Sequence, residues 1–225
     1  MKIKILFKSY FQLFFQNYLY LTLLFGILTF GLTADSLLGI SSVKKYSLLL
    51  IGTFFLALLT TMNLYYNDSR QNKYLKQKIN SSWADAGSQF LVALIINIFS
   101  GILIFIFSLI LNPSLPFDLV GILALIAVGL LGSGIATLFK TQWYRHSSLG
   151  QVGVLVFIYL SLSGNVVEVL SYASWLLPPL SKIIMTLQNK SDILHLWPLI
   201  GQTFLYALFL FLISSIIYKN NKKVK

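Results

Sequence analysis

The sequence predicts an all-α, polytopic membrane protein with six spans, and three observations predict it. Hydrophobic residues make up 57% of the 225 residues and charged residues only 10%, whereas a soluble domain carries roughly 25% charged residues. Apolar runs recur at about 20 residues, the length at which a helix rising 1.5 Å per residue covers ~30 Å of hydrocarbon. The basic residues between those runs fall mainly in alternate connections, which is the positive-inside pattern.

Five runs qualify as spans from the N-terminal end onward: Tyr18 to Thr33, Ser47 to Tyr65, Gln89 to Leu111, Leu119 to Phe139 and Leu199 to Tyr218. A sixth begins near Leu149 and has no sharp end, because the chain stays apolar from Gly150 to Leu177 apart from scattered Ser, Gly164, Asn165 and Glu168. The N-terminal lysines and apolar run lack a small-residue cleavage site of the A-x-A kind, so an uncleaved first span is expected rather than a signal peptide. With the N-terminus inside, Lys2, Lys4, Lys8, Arg70, Lys73, Lys76, Lys78, Lys140, Arg145, Lys219, Lys222, Lys223 and Lys225 are all inside. Only Lys44, Lys45, Lys182 and Lys190 are then outside. Six spans with both termini inside satisfy this bias.

The stretch "SYASWLLPPLSKIIMTL" at 171–187 is apolar enough to enter a membrane. As a seventh span it would leave the basic tail outside. Pro178 and Pro179 lack amide hydrogens and disfavour helix at the residue before each. Each half, eight or nine residues long, reaches only ~13 Å. The segment is expected not to span.

The connections carry further signals. "FKSYFQLFFQNYLY" sets Phe7, Phe11, Phe14, Phe15 and Tyr18 at helical spacing, which fits an aromatic-rich amphipathic helix lying in the inner interface, or else a long, tilted first span. In 68–88, Leu75, Ile79 and Trp83 form one stripe of a helix, with Arg70 and Lys73 opposite. This segment is either a solvated basic loop that sets orientation or a docking helix for a cytoplasmic partner. "NPSLPFD" is a tight outer turn, and Trp143 and Tyr144 suit an interface. In "VGLLGSGIA", Gly129 with Ser133 and Gly132 with Ala136 stand four apart, spacing that lets helices approach closely.

Little in the chain points to catalysis. Of the six acids, Asp35, Asp68, Asp85, Asp118 and Asp192 are expected in loops, and only Glu168 near a span. Glu168 is either a carboxylate at the outer headgroups or, if "SGNVVE" breaks the helix early, a group at the mouth of a substrate path. There is no H-E-x-x-H, G-x-S-x-G or P-loop sequence, and no cysteine. The excess of 17 basic over 6 acidic residues sits between spans rather than on a soluble domain, so nucleic acid is not an expected partner. Lysine far outnumbers arginine, with Asn and Ile frequent, as in an AT-rich bacterial genome.

The layout resembles the membrane (permease) subunit of bacterial type 2 ABC transporters. Four features carry the resemblance: the amphipathic start at 7–18, the basic amphipathic segment 68–88, the run "LSLSGNVVEVLSYASWLLPPLSKIIMTL", and the last span with its basic tail. The resemblance implies one transmembrane domain over 1–225, with an N-terminal interfacial helix and a cytoplasmic coupling helix. It also implies an outer re-entrant helical hairpin between spans five and six. ATPase coupling then falls to Arg70, Lys73, Leu75, Lys76, Ile79 and Trp83, and the outer path to Gly164, Asn165, Glu168, Trp175, Pro178 and Pro179. Family members often open the coupling segment with a glutamate, where this chain offers only Asp68.

The partners implied are two ATPase subunits, a second permease copy or paralogue, and membrane lipids. No cofactor belongs to this chain, ATP and Mg being held by the ATPase. The implied function is outward transport of a peptide, an antibiotic or an amphipathic lipid across the bacterial cytoplasmic membrane. The alternative is an immunity or scaffold protein of the membrane without an ATPase. A channel is disfavoured because the spans lack rings of polar or charged residues.

Overall fold

The computed structural model describes residues 2–16, 18–38, 42–66, 70–111, 115–140, 146–164, 177–189 and 196–223. Helices account for nearly all of these residues, and no strand occurs among them. In chain order they are α1 (Lys2–Phe15), α2 (Tyr18–Leu38), α3 (Ser42–Tyr66), α4 (Arg70–Ile79) and α5 (Ser82–Leu111). After these come α6 (Leu115–Leu138), α7 (Ser147–Ser163), α8 (Leu180–Asn189) and α9 (Leu196–Lys223).

Among the described residues, four helices are long and apolar enough to cross a membrane: Tyr46–Tyr66, Ser82–Ile110, Asp118–Leu138 and Leu196–Lys219. A fifth is obtained if α1 and the first part of α2, bent by 62° at their junction, count as one broken span. The chain is therefore a multi-pass helical membrane protein. The sixth expected span is not established. The helix α7 has 17 residues, ~26 Å of rise, and the continuation beyond Gly164 lies outside the described residues.

Pairings at the two ends of the bundle set the helix directions. Tyr65 at the end of α3 meets Gln89 near the start of α5 and Thr137 near the end of α6. At the opposite end, Tyr46 and Ser108 both donate to Asp118, bringing together the start of α3, the end of α5 and the start of α6. So α3 and α6 run the same way and α5 runs against them. This is the alternation that the charge pattern requires of these spans. The end that gathers Tyr65, Gln89 and Thr137 also holds α4, and is the basic end of the bundle.

The centre of the bundle is α6, most of whose residues are buried, packed against α3, α5 and α9. Lipid tails are as apolar as leucine, so spans associate through close packing and hydrogen bonds rather than hydrophobic drive. Small residues on α6 supply that closeness. A Cβ at Gly132 would stand 2.6 Å from the Phe54 carbonyl oxygen of α3. Gly129 leaves room for the Asn97 carboxamide of α5, and Gly121 for the Tyr46 ring. Ser133 accepts from Thr61 at 3.2 Å. The four-residue spacing read in "VGLLGSGIA" thus packs against two neighbours, α3 and α5.

The double proline precedes α8 and does not lie within a helix. Ile183 N donates to the Pro179 carbonyl at 3.2 Å, which starts the first turn. At ten residues α8 rises ~15 Å, half the hydrocarbon depth. Its buried stripe Leu180, Ile183 and Leu187 faces a site formed by α3, α7 and α9. Leu177, just before the prolines, packs on Gly164 at the end of α7. The chain leaves Gly164 and is back beside it at Leu177, so it gains no net depth between those points.

Candidate functional site: a buried charge network at the basic end

The site begins with two local sequence decisions. Along α1, Leu6, Tyr10 and Phe14 recur every four residues and are buried, so the helix turns one face to the bundle and brings a phenol with it. Between α4 and α5, Asn80 adopts φ 44°, the left-handed region that asparagine tolerates better than most residues. Ser81 then caps α5 by accepting from Ala84 N at 3.3 Å. The pair ends one helix and starts the next. Asp85 consequently falls in the first turn of α5, where the helix dipole favours a negative charge.

Asp85 is only 3% exposed, which corrects the expectation that it lies in a loop. One carboxylate oxygen accepts from Lys140 Nζ. The other accepts from the Tyr10 phenol and, at 3.3 Å, from Gln89 Nε2. Gln89 also donates to the Tyr10 oxygen at 2.8 Å and accepts from the Tyr65 phenol at 3.0 Å. The single Tyr65 hydroxyl hydrogen has two acceptors in reach, Gln89 Oε1 and, at 3.3 Å, Thr137 Oγ1. The lysines add two ring contacts. Lys140 Nζ lies 4.4 Å from the Tyr218 ring centre, and Lys76 Nζ 5.0 Å from that of Tyr10. Six helices or their flanks therefore contribute to this network: α1, α3, α4, α5, α6 and α9.

The inner face of α4 completes the site. Asn72 and Lys76, one turn apart, are buried, and Ser9 of α1 donates to the Asn72 side chain. Leu75 and Ile79 pack partly buried against the core, an anchoring role consistent with the expected stripe. Trp83 does not continue that stripe. It sits beyond the Asn80 break, on α5, and is 55% exposed. Arg70 and Lys73 belong to α4, but their side chains are outside the description. The face of α4 turned outward carries Tyr74, Gln77 and Lys78.

Of the expected outer-path residues, Gly164, Pro178 and Pro179 are buried and come near one another through Leu177. Asn165, Glu168 and Trp175 lie outside the described residues, as do Asp68 and Asp192. Asp118, also expected in a loop, is instead fully buried in the first turn of α6. Sequence reasoning missed Tyr10, Gln89, Tyr65 and Tyr46 altogether. The available signal was Asp85 and Gln89, four apart and followed by a wholly apolar run, which marks one polar face on a helix.

Between the network and the bundle centre lies a cavity of about 20 Å³, with Thr60, Thr61, Tyr65, Gln89, Asn97 and Ser133 among its lining. That is room for about one water molecule, not for a cargo. No known protein family, curated protein or solved structure matches the chain.

Proposed function

We propose that the chain is the permease subunit of an ATP-driven exporter of the type 2 ABC kind, with α4 as the contact point for a separate ATPase. The observation that carries this reading is the two-sidedness of α4. The helix is short, basic and without acidic residues. One face is fixed to α1 and the core through Asn72, Leu75, Lys76 and Ile79, while Tyr74, Gln77 and Lys78 point away. A partner holding the outer face would transmit any displacement to the spans. The return of the chain to Gly164 at Leu177 favours the re-entrant hairpin over a further crossing.

In this reading the termini are cytoplasmic, two permease copies or paralogues flank a common path, and ATP-driven closure of the ATPase pair moves α4. Energy enters through the different affinity of the ATPase for ATP in the two states. The small cavity fits a path lined by two copies. It fits equally the second reading, a membrane immunity or scaffold protein that moves nothing. An ATPase with Walker motifs encoded beside this chain would favour the exporter, and its absence would favour the second reading. Co-expression of such an ATPase with the chain separates the two. Y74A/K78E should abolish co-purification while membrane insertion persists. Retention of the ATPase by that variant would sink the assignment of α4.

A further inference from the structure

We infer that Asp85 and its partners form a releasable latch, which holds α1 and α4 against α5 and α6 and restrains α4 from turning about Asn80. Two features of the structure make a latch rather than a weld. The first is the joint. The helices α4 and α5 are separate, parted by Asn80, with its positive φ, and Ser81. A few residues at an element end suffice to absorb a hinge motion.

The second is the closure. Past the joint, α4 is tied by Lys76 over the Tyr10 ring and by Asn72 to Ser9. The Tyr10 phenol in turn donates to Asp85, and Lys140 holds the other carboxylate oxygen from the flank of α6. Tyr10 is thus shared between the α4 side and the span side. A buried ion pair contributes little net stability compared with apolar residues, but it fixes geometry closely and is costly to break on one side only. The groups facing Asp85 are Lys140, Lys76, Tyr10 and Gln89.

The cluster at the other end provides the contrast. Asp118 is bonded by Tyr46 and Ser108, again a carboxylate in a first turn held by a tyrosine. Among the described residues it joins α3, α5 and α6, and neither α1 nor α4. Loosening it should leave α4 in place. The latch stands on the geometry of this chain alone, and only its use in coupling rests on the docking reading above.

The chain has no cysteine, so spin labels at introduced cysteines report without background. Gln77 on α4 and Leu205 on α9 are both exposed and lie outside the network. Pulsed EPR on the full chain in nanodiscs should give one narrow Gln77–Leu205 distance distribution. D85N/K140M removes both members of the ion pair, leaving Lys76 over the Tyr10 ring, and should add a second population. Y10F, which keeps the ring and loses the donor, should broaden the distribution even if the double variant fails to insert. Y46F/D118N should leave it unchanged. A single narrow distribution in both D85N/K140M and Y10F overturns the latch, as does equal broadening by Y46F/D118N. No ATPase enters the measurement, so its failure is distinct from failure of the docking reading.

Discussion

Asp85 and Lys140 each bury a full charge, 3% exposed, where water cannot screen either one. Removing one member strands the other, at a cost of about 3–5 kcal/mol, whereas neutralising both together costs far less. D85N should therefore lower thermal stability in detergent much more than D85N/K140M, and equal losses would mean that a stranded Lys140 charge is not what destabilises the single variant. Y10F removes one donor to a charged acceptor, worth about 1.5–3 kcal/mol. Glycines give a second test at this scale. Gly132→Ala places a methyl group 2.6 Å from the Phe54 carbonyl and should destabilise by about 1–3 kcal/mol. At Gly26 a Cβ meets nothing among the described residues within 4 Å. Gly26→Ala should be neutral or stabilising by up to about 1 kcal/mol. A thermal melt in which the two substitutions behave alike would contradict the packing assigned to α6.

Among the elements, α4 and its junction depend most on single residues. Asn80→Gly relieves a left-handed conformation and should not destabilise, whereas Asn80→Val should cost about 1–2 kcal/mol. The same thermal assay reads both, and similar values would argue against the break at Asn80. The break is absent from the sequence reading, although "KINSSW" holds an asparagine able to take positive φ followed by a serine able to cap. The Leu75–Ile79–Trp83 spacing masked it, because helical periodicity continues in register across the two residues of the break. Four of the six expected spans were legible for the opposite reason, since bilayer thickness imposes a length that hydropathy alone reveals. The network was not legible. Lys140 is 55 positions and Tyr10 75 positions from Asp85, and only the folded bundle brings them together. A charge at the end of an apolar run reads as an orientation signal until its partner is known.

At the scale of the whole molecule, both ends of the α5–α6 pair are fastened by a first-turn carboxylate and a tyrosine from another helix. Of these two carboxylate clusters, the one at the basic end includes α4. In the proposed reading, that asymmetry sets the input at α4 and a restrained core behind it. Orientation is tested by a single cysteine in place of Lys182, on α8. A membrane-impermeant reagent should label it from outside intact cells, and labelling from the cytoplasmic side only would reverse the topology. The central claim, that α4 receives an ATPase, is tested most directly by purifying the tagged chain from its native membrane and identifying what accompanies it. The expected result is an ATPase with Walker sequences in fixed ratio to the chain, lost from Y74A/K78E. A folded chain that purifies with no nucleotide-binding protein, or an ATPase retained by that variant, would contradict it.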